Sequence, residues 1–199
     1  SWKGTATGYK DTNTWQALRF GGERVDAKFN PSDLTTSTLD RMKWYPVVEI
    51  NVPDHIATPE MTEPNKIQQT FSAKEIQQLG DTAWLVDMGK NLNGWFEIRL
   101  PKLTAGHEIL FEYTDYIDKE GVFHNQDQSD IYIASGNGNE LFKNKFNHHA
   151  FRYIRIKNLP VKPQKENIKA YLIHTNYRQT STFECSDPDL KAINEMIQY

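Results

Sequence analysis

Trp84-Leu-Val-Asp-Met-Gly-Lys-Asn-Leu-Asn-Gly-Trp-Phe-Glu-Ile-Arg-Leu100 is the stretch that decides the fold class. Trp84 to Met88 is a short apolar run, and Trp95 to Leu100 alternates apolar and polar residues with period two. Between them, Gly89, Asn91, Asn93 and Gly94 tolerate positive φ or bond to their own backbone. The pattern predicts two half-buried antiparallel strands joined by a tight turn over 89–94. Outward from it, Val47–Val52, Glu108–Tyr113, Asp130–Ile133, Phe151–Ile156 and Ile168–His174 also read as strands. Turn clusters at 104–107, 118–121, 136–139 and 158–160 separate them. Many short strands without long helical patterns predict an all-β fold, an antiparallel β-sandwich of jelly-roll type. Ser72–Leu79 fits one helical turn or a strand with polar faces.

The 199 residues, 38% of them hydrophobic, suffice for one sizeable core or two small ones. A formal charge of −3 gives no electrostatic reason to bind nucleic acid or an anionic membrane. No apolar run is long enough to span a bilayer, and Ser1-Trp-Lys-Gly-Thr5 is not a secretory leader. The single cysteine, Cys185, excludes an internal disulfide and leaves the compartment open.

Pro53, Pro59 and Pro64 punctuate a polar stretch that predicts a connection over 53–65. Before it, residues 1–52 carry Trp2, Trp15, Phe20, Phe29, Trp44 and Tyr45, with a turn at Asn30–Asp33. So many aromatics imply a core, yet so short a segment rarely builds one alone. It reads as the end of a domain whose beginning is missing. At the other end, Ser186-Asp-Pro-Asp189 predicts a helix start with Ser186 as N-cap and Asp189 at N3. Leu190, Ile193, Met196 and Ile197 then form a stripe suited to packing against other helices.

Glycoside hydrolysis needs two carboxylates facing a sugar, and Glu112, Asp115, Asp118, Glu120, Asp127 and Asp130 form an acidic cluster. Nothing near them supplies the apolar setting that raises a carboxyl pKa, so they read as a solvated strand end and turn. No catalytic residue is expected in the chain. His148 and His149 are strand neighbours that point to opposite faces, which disfavours a shared metal; no metal or cofactor is expected. Cys185 reads as a buried junction residue, and Arg152 as the partner of an acid on a neighbouring strand. Trp95 can stack on a pyranose or anchor the core. Asn91, Asp115 and His124 are loop residues of the polar types that sugars need, and with Trp95 they are the candidate carbohydrate-binding residues.

Three segments in order resemble the bacterial α-L-rhamnosidases of glycoside hydrolase family 78. Asp87-Met-Gly-Lys-Asn-Leu-Asn-Gly-Trp95 is similar to their Asp-Phe-Gly-Gln-Asn-x-x-Gly-Trp signature. His149-Ala-Phe-Arg-Tyr153 resembles their His-Gly-Phe-Arg-Tyr strand, and Thr182-Phe-Glu-Cys-Ser-Asp-Pro-Asp-Leu190 their Ser-Phe-Glu-Cys-Ser-Asp-Pro-x-Leu junction. The resemblance implies that residues 1–52 are the C-terminal remnant of an N-terminal β-domain, 66–178 the sandwich, and 179–199 the junction and first helix of a helical catalytic domain, which would be the sandwich's partner within a longer chain. It implies an inverting hydrolase of terminal α-L-rhamnosides, with rhamnose-containing glycans as ligands and the catalytic carboxylates beyond residue 199. Gly21-Gly-Glu-Arg-Val-Asp-Ala-Lys28 resembles the end of the family's N-terminal domain, with Val25 and Lys28 in place of Tyr and Arg. The Asn/Asp pair that precedes this motif in calcium-dependent rhamnose binders is missing from Gln16-Ala-Leu-Arg19. The alternatives are a freestanding lectin-like carbohydrate-binding module and a sandwich that binds another protein.

Overall fold

The computed structural model describes residues 2–12, 20–29, 42–52, 54, 56 and 58–199. Its strands in chain order are β1 (Lys3–Gly4), β2 (Tyr9–Asp11), β3 (Glu23–Asp26), β4 (Tyr45–Pro46), β5 (Asn65–Ser72) and β6 (Glu75–Gly80). They continue with β7 (Ala83–Arg99), β8 (Glu108–Thr114), β9 (Ser129–Ile133), β10 (Leu141–Lys143), β11 (His149–Lys157) and β12 (Ile168–Thr175). Among the described residues one α-helix, α1 (Pro188–Gln198), follows. The fold is all-β, a curled sheet of sandwich form with a short C-terminal helix.

The predicted hairpin at 84–100 is instead one continuous 17-residue strand, β7. Its two halves pair with the same neighbour: Trp84–Asp87 face Tyr153–Ile156, and Leu92–Gly94 face His149–Phe151 of β11. Between them the register shifts, so that the four residues Met88–Asn91 lie opposite the single residue Arg152. Gly89, at φ +85°, lets the backbone absorb these extra residues as a bulge. Met88 and Leu92 are both buried on either side of it, so leaving the sheet would expose core on both flanks. The positive-φ residue types were legible in sequence; a bulge and a turn use the same ones.

The main sheet runs β2-β3-β9-β8-β11-β7-β12-β5, with β6 and β10 also pairing to β7. All its pairings are antiparallel except β3 with β9. The core lies on the even-numbered face of β7, where Phe96 and Ile98 meet Phe111, Phe142, Phe151 and Ile154. Phe111 and Phe142 stack at 4.7 Å, and Phe96 meets Phe111 edge-on at 5.3 Å. Ser72–Leu79 resolves as the end of β5 and most of β6, with no helical turn.

The N-terminal part differs from expectation in two ways. β2 is the edge strand of the sandwich's own sheet and β3 its neighbour, so Tyr9–Asp11 and Glu23–Asp26 share its hydrogen bonding. Of the described aromatics there, Trp2, Phe29, Trp44 and Tyr45 are exposed and Phe20 is half-buried, because among the described residues β1 and β4 pair only with each other. Val47–Val52 forms no strand, and Val47, Val48, Ile50 and Val52 are exposed. Trp15, Gln16–Arg19, Asn30–Asp33 and Pro53 lie outside the described residues.

At the C-terminal end the N-cap of α1 is Asp187 rather than Ser186. The Asp187 carboxylate accepts from the Asp189 and Leu190 amides at 2.9 and 3.3 Å, with Pro188 as first helical residue. The stripe Leu190, Ile193, Met196 and Ile197 is exposed. Cys185 is exposed as well, not buried, because it lies in the strand-free stretch before the cap with its thiol 3.2 Å from the Asp187 carbonyl.

Candidate functional site

β8 ends at Thr114, whose buried hydroxyl lies 2.9 Å from the Tyr116 carbonyl and 2.8 Å from that of His124. This single side chain ties both ends of the loop carrying Asp115 and His124. Inside the loop, the Asp118 carboxylate accepts from the Val122 amide at 2.7 Å and meets His124 Nε2 at 2.7 Å. Hydrogen bonding to His124 is the main reason the Asp118 carboxyl is held below the usual aspartate range. The His124 ring stacks on Tyr116 at 5.5 Å, and His124, Tyr116 and Asp115 are all exposed.

The β7 bulge lies at the same level, since Tyr153 pairs with Thr114 on one side and Asp87 on the other. Arg152 donates to Asp87 through Nε and Nη2, each at 2.9 Å, and the Gly89 amide adds a third bond at 2.7 Å. The arginine thus meets the neighbouring-strand acid expected for it. Its hydrogen bonds hold the Asp87 carboxyl below the usual range, outweighing partial burial. Asn91 closes the bulge and is exposed. Lys90 reaches the ring of Tyr199, which seats the end of α1 beside this bulge.

Trp95 stands apart from these groups. It lies on the odd-numbered face of β7, opposite the core, and pairs with Tyr171 of β12. The Lys143 ammonium sits 5.6 Å from the Trp95 ring and 4.2 Å from that of Tyr171. Glu97 accepts from the Tyr171 hydroxyl at 2.8 Å and lies 3.7 Å from Lys143. Burial, then the Glu97 carboxylate, pushes the Tyr171 hydroxyl up to about 12. The patch pairs two aromatic faces with a cation and an anion, a set able to meet both the C–H face and the hydroxyls of a sugar. Of the four candidates, the structure thus groups Asp115 with His124, sets Asn91 at the same level and separates Trp95. Tyr171, Lys143 and Glu97 escaped the sequence reading, because only strand register brings them to Trp95.

The acidic cluster is not one cluster and is only partly solvated. Burial pushes the Glu112 carboxyl up, but Arg155 at 2.7 Å and Lys157 at 3.0 Å outweigh it and hold it below the usual range. Asp130 is fully buried, because it joins three strands: it accepts from the Glu23 amide, the Tyr113 hydroxyl, Asn144 Nδ2 and His149 Nε2. Glu23, also buried, accepts from the amides of Lys145, Phe146 and Asn147. Burial and the Asp130 charge push the Tyr113 hydroxyl well above its ordinary value. Each of these buried carboxylates is occupied by donors, an arrangement that builds structure rather than delivering a proton to a substrate. Among the described residues no three His, Cys, Asp or Glu side chains converge as a metal site.

Residues 1–69 match the family model described as alpha-L-rhamnosidase N-terminal domain, and residues 77–174 the bacterial alpha-L-rhamnosidase concanavalin-like domain. An alpha-L-rhamnosidase of Formosa agariphila is 28% identical over 92% of this chain and 21% of its own length. One from Streptomyces avermitilis is 23% identical over 89% of this chain and 18% of its own. Among solved structures, an Aspergillus terreus alpha-L-rhamnosidase superposes with a TM-score of 0.77 at 22% identity, over 99% of this chain and 23% of that one. The Dictyoglumus thermophilum enzyme gives 0.74 at 24% identity, over 88% and 20%. At these identities the superpositions speak for the fold alone. The chain spans about a fifth of the length of the curated relatives it matches.

Proposed function

The chain belongs to the bacterial α-L-rhamnosidase family through its N-terminal and concanavalin-like domains, and from that premise we propose that it is the accessory, non-catalytic β-sandwich region of a glycoside hydrolase acting on terminal α-L-rhamnosides. The observation that carries this reading is the match to those two domains over a fifth of the relatives' length. The catalytic acid and base belong to a helical domain of the same parent chain. α1 is the first helix of that domain and turns its exposed stripe to the other helices, while Tyr199 and Lys90 hold its end beside the β7 bulge of the sandwich. In this reading residues 66–178 are the sandwich, 53–65 the connection, 179–199 the junction and 1–52 the end of the preceding domain, which lends β2 and β3 to the sheet.

Glycan contact is assigned to two places, the loop and bulge surface with Asn91, Asp115 and His124, and the patch around Trp95. Two assays test the reading. The purified chain should release no chromophore from an aryl α-L-rhamnoside; turnover abolished by Glu112→Gln or Asp115→Asn would overturn the non-catalytic role. Calorimetric titration with rhamnose and rhamnosyl oligosaccharides should give heat that Trp95→Ala removes or weakens. Binding with full affinity in that variant and in Asp115→Ala would reject both places. The lectin-like alternative draws on the same Trp95 patch, and predicts tight sugar binding by the chain without any helical partner.

A further inference from the structure

Asparagine precedes glycine twice in this chain, at Asn93-Gly94 and Asn137-Gly138, and the fold treats the two pairs oppositely. Gly94 is clamped in β7 between His149 of β11 and Leu172 of β12. A Cβ placed on it would meet the Tyr171 carbonyl oxygen at 1.7 Å. Gly138 sits in the turn between β9 and β10 at φ +74°, after an exposed Asn137, and a Cβ there would meet only the Lys102 side chain at 3.7 Å. The feet of this turn are fixed: Glu140 accepts from the Ser135 and Gly136 amides at 2.8 and 3.1 Å and from the Tyr132 hydroxyl at 2.8 Å. Asn137 and Gly138 are left as its open tip.

We propose that Asn137 is a site of spontaneous deamidation and that the sheet protects Asn93 from the same reaction. The Gly138 amide nitrogen attacks Cγ of Asn137. A new N–Cγ bond forms as the bond from Cγ to the side-chain nitrogen breaks. The amide proton passes through solvent to that nitrogen, which leaves as ammonia. The resulting cyclic imide takes up one water at either carbonyl and opens to aspartate or isoaspartate, with no change in oxidation state. Glycine matters because no Cβ hinders the attacking nitrogen and because its backbone reaches conformations closed to other residues. At Gly94 the same attack requires the peptide to leave a ladder paired on both edges, so it must wait for opening of the sheet. The product has a local consequence. An isoaspartyl link lengthens the backbone that leads into β10, a strand of three residues whose Lys143 covers Trp95 and Tyr171.

The test is to hold the folded protein warm at mildly alkaline pH, digest timed samples and follow both asparagine-containing peptides by mass spectrometry. Labelling with an isoaspartyl methyltransferase reports the rearranged product. Asn137 should convert on the order of tenfold or more faster than Asn93, and unfolding in urea should bring the two rates together. Gly138→Ala should slow the conversion. Because alanine is strained at that φ, Asn137→Gln serves as the second variant and should remove the isoaspartyl signal from this peptide with the fold intact. Equal rates at Asn93 and Asn137 in the folded protein, or an Asn137 that stays intact, would overturn the proposal.

Discussion

His149 with Asp130 and His124 with Asp118 are the same two side chains at similar separations, 3.0 and 2.7 Å, in opposite surroundings. The first pair is wholly buried, and the second is 43% and 25% exposed. Around Asp130 the donors come from three other strands and from Asn144 just after β10, and His149, meeting it through Nε2, keeps an Nδ1 that is buried with no partner among the described residues. Around Asp118 the other bond is local, to Val122 of the same loop. Burial, not the identity of the pair, decides whether it joins the fold together or merely shapes a loop.

Asp130→Ala should break this comparison most visibly. It orphans four buried donors and is expected to cost about 3–5 kcal/mol in denaturant unfolding, a large part of a domain's stability. A loss no greater than that of Asp118→Ala would dissolve the distinction.

The Arg152–Asp87 pair, part-buried and bidentate, supplies an intermediate point. Arg152→Ala should cost about 1–2 kcal/mol after allowance for solvent screening. Its pH dependence has a definite sign. The folded-state pKa of Asp87 is lowered, so the pair's contribution is present above the ordinary aspartate range and disappears as pH falls through the lowered value. Acid unfolding of the variant should therefore be less steep than that of the parent across that interval; parallel curves would assign the stability elsewhere.

Asp118→Ala should give the smallest global effect, with no measurable change in unfolding midpoint. It should nonetheless speed hydrogen exchange at the Val122 amide, because that donor loses its acceptor. A midpoint shift matching that of Arg152→Ala would place the loop among the load-carrying parts of the fold.

The alternating strands at 108–113, 151–156 and 168–174 were legible because half-burial writes period two into the sequence. The bulge in β7 was not, since Gly89 and its neighbours suit a turn equally well. Asp130 looked solvated because a carboxylate's donors come from Glu23, Asn144 and His149, which no local window contains. The surroundings of Trp95 were hidden for the same reason, with Tyr171 and Glu97 lying 74 residues apart in sequence. Asn91, Asp115 and His124 were chosen for residue type, and their placement at one level of the sheet depends on register alone.

The length of β7 has a consequence for how the chain is made. It pairs with β6, β10, β11 and β12, and the last of these is 74 residues further along, counted from Glu97 to Tyr171. At about 5–20 residues per second, a ribosome completes that interval in about 4–15 s. The second half of β7, with Phe96 and Ile98 that finish fully buried, gains β10 and β11 only in the later part of that interval and β12 at its end. The strand that organises the finished sandwich is thus an apolar segment that the nascent chain exposes for seconds, of the kind a chaperone holds during synthesis.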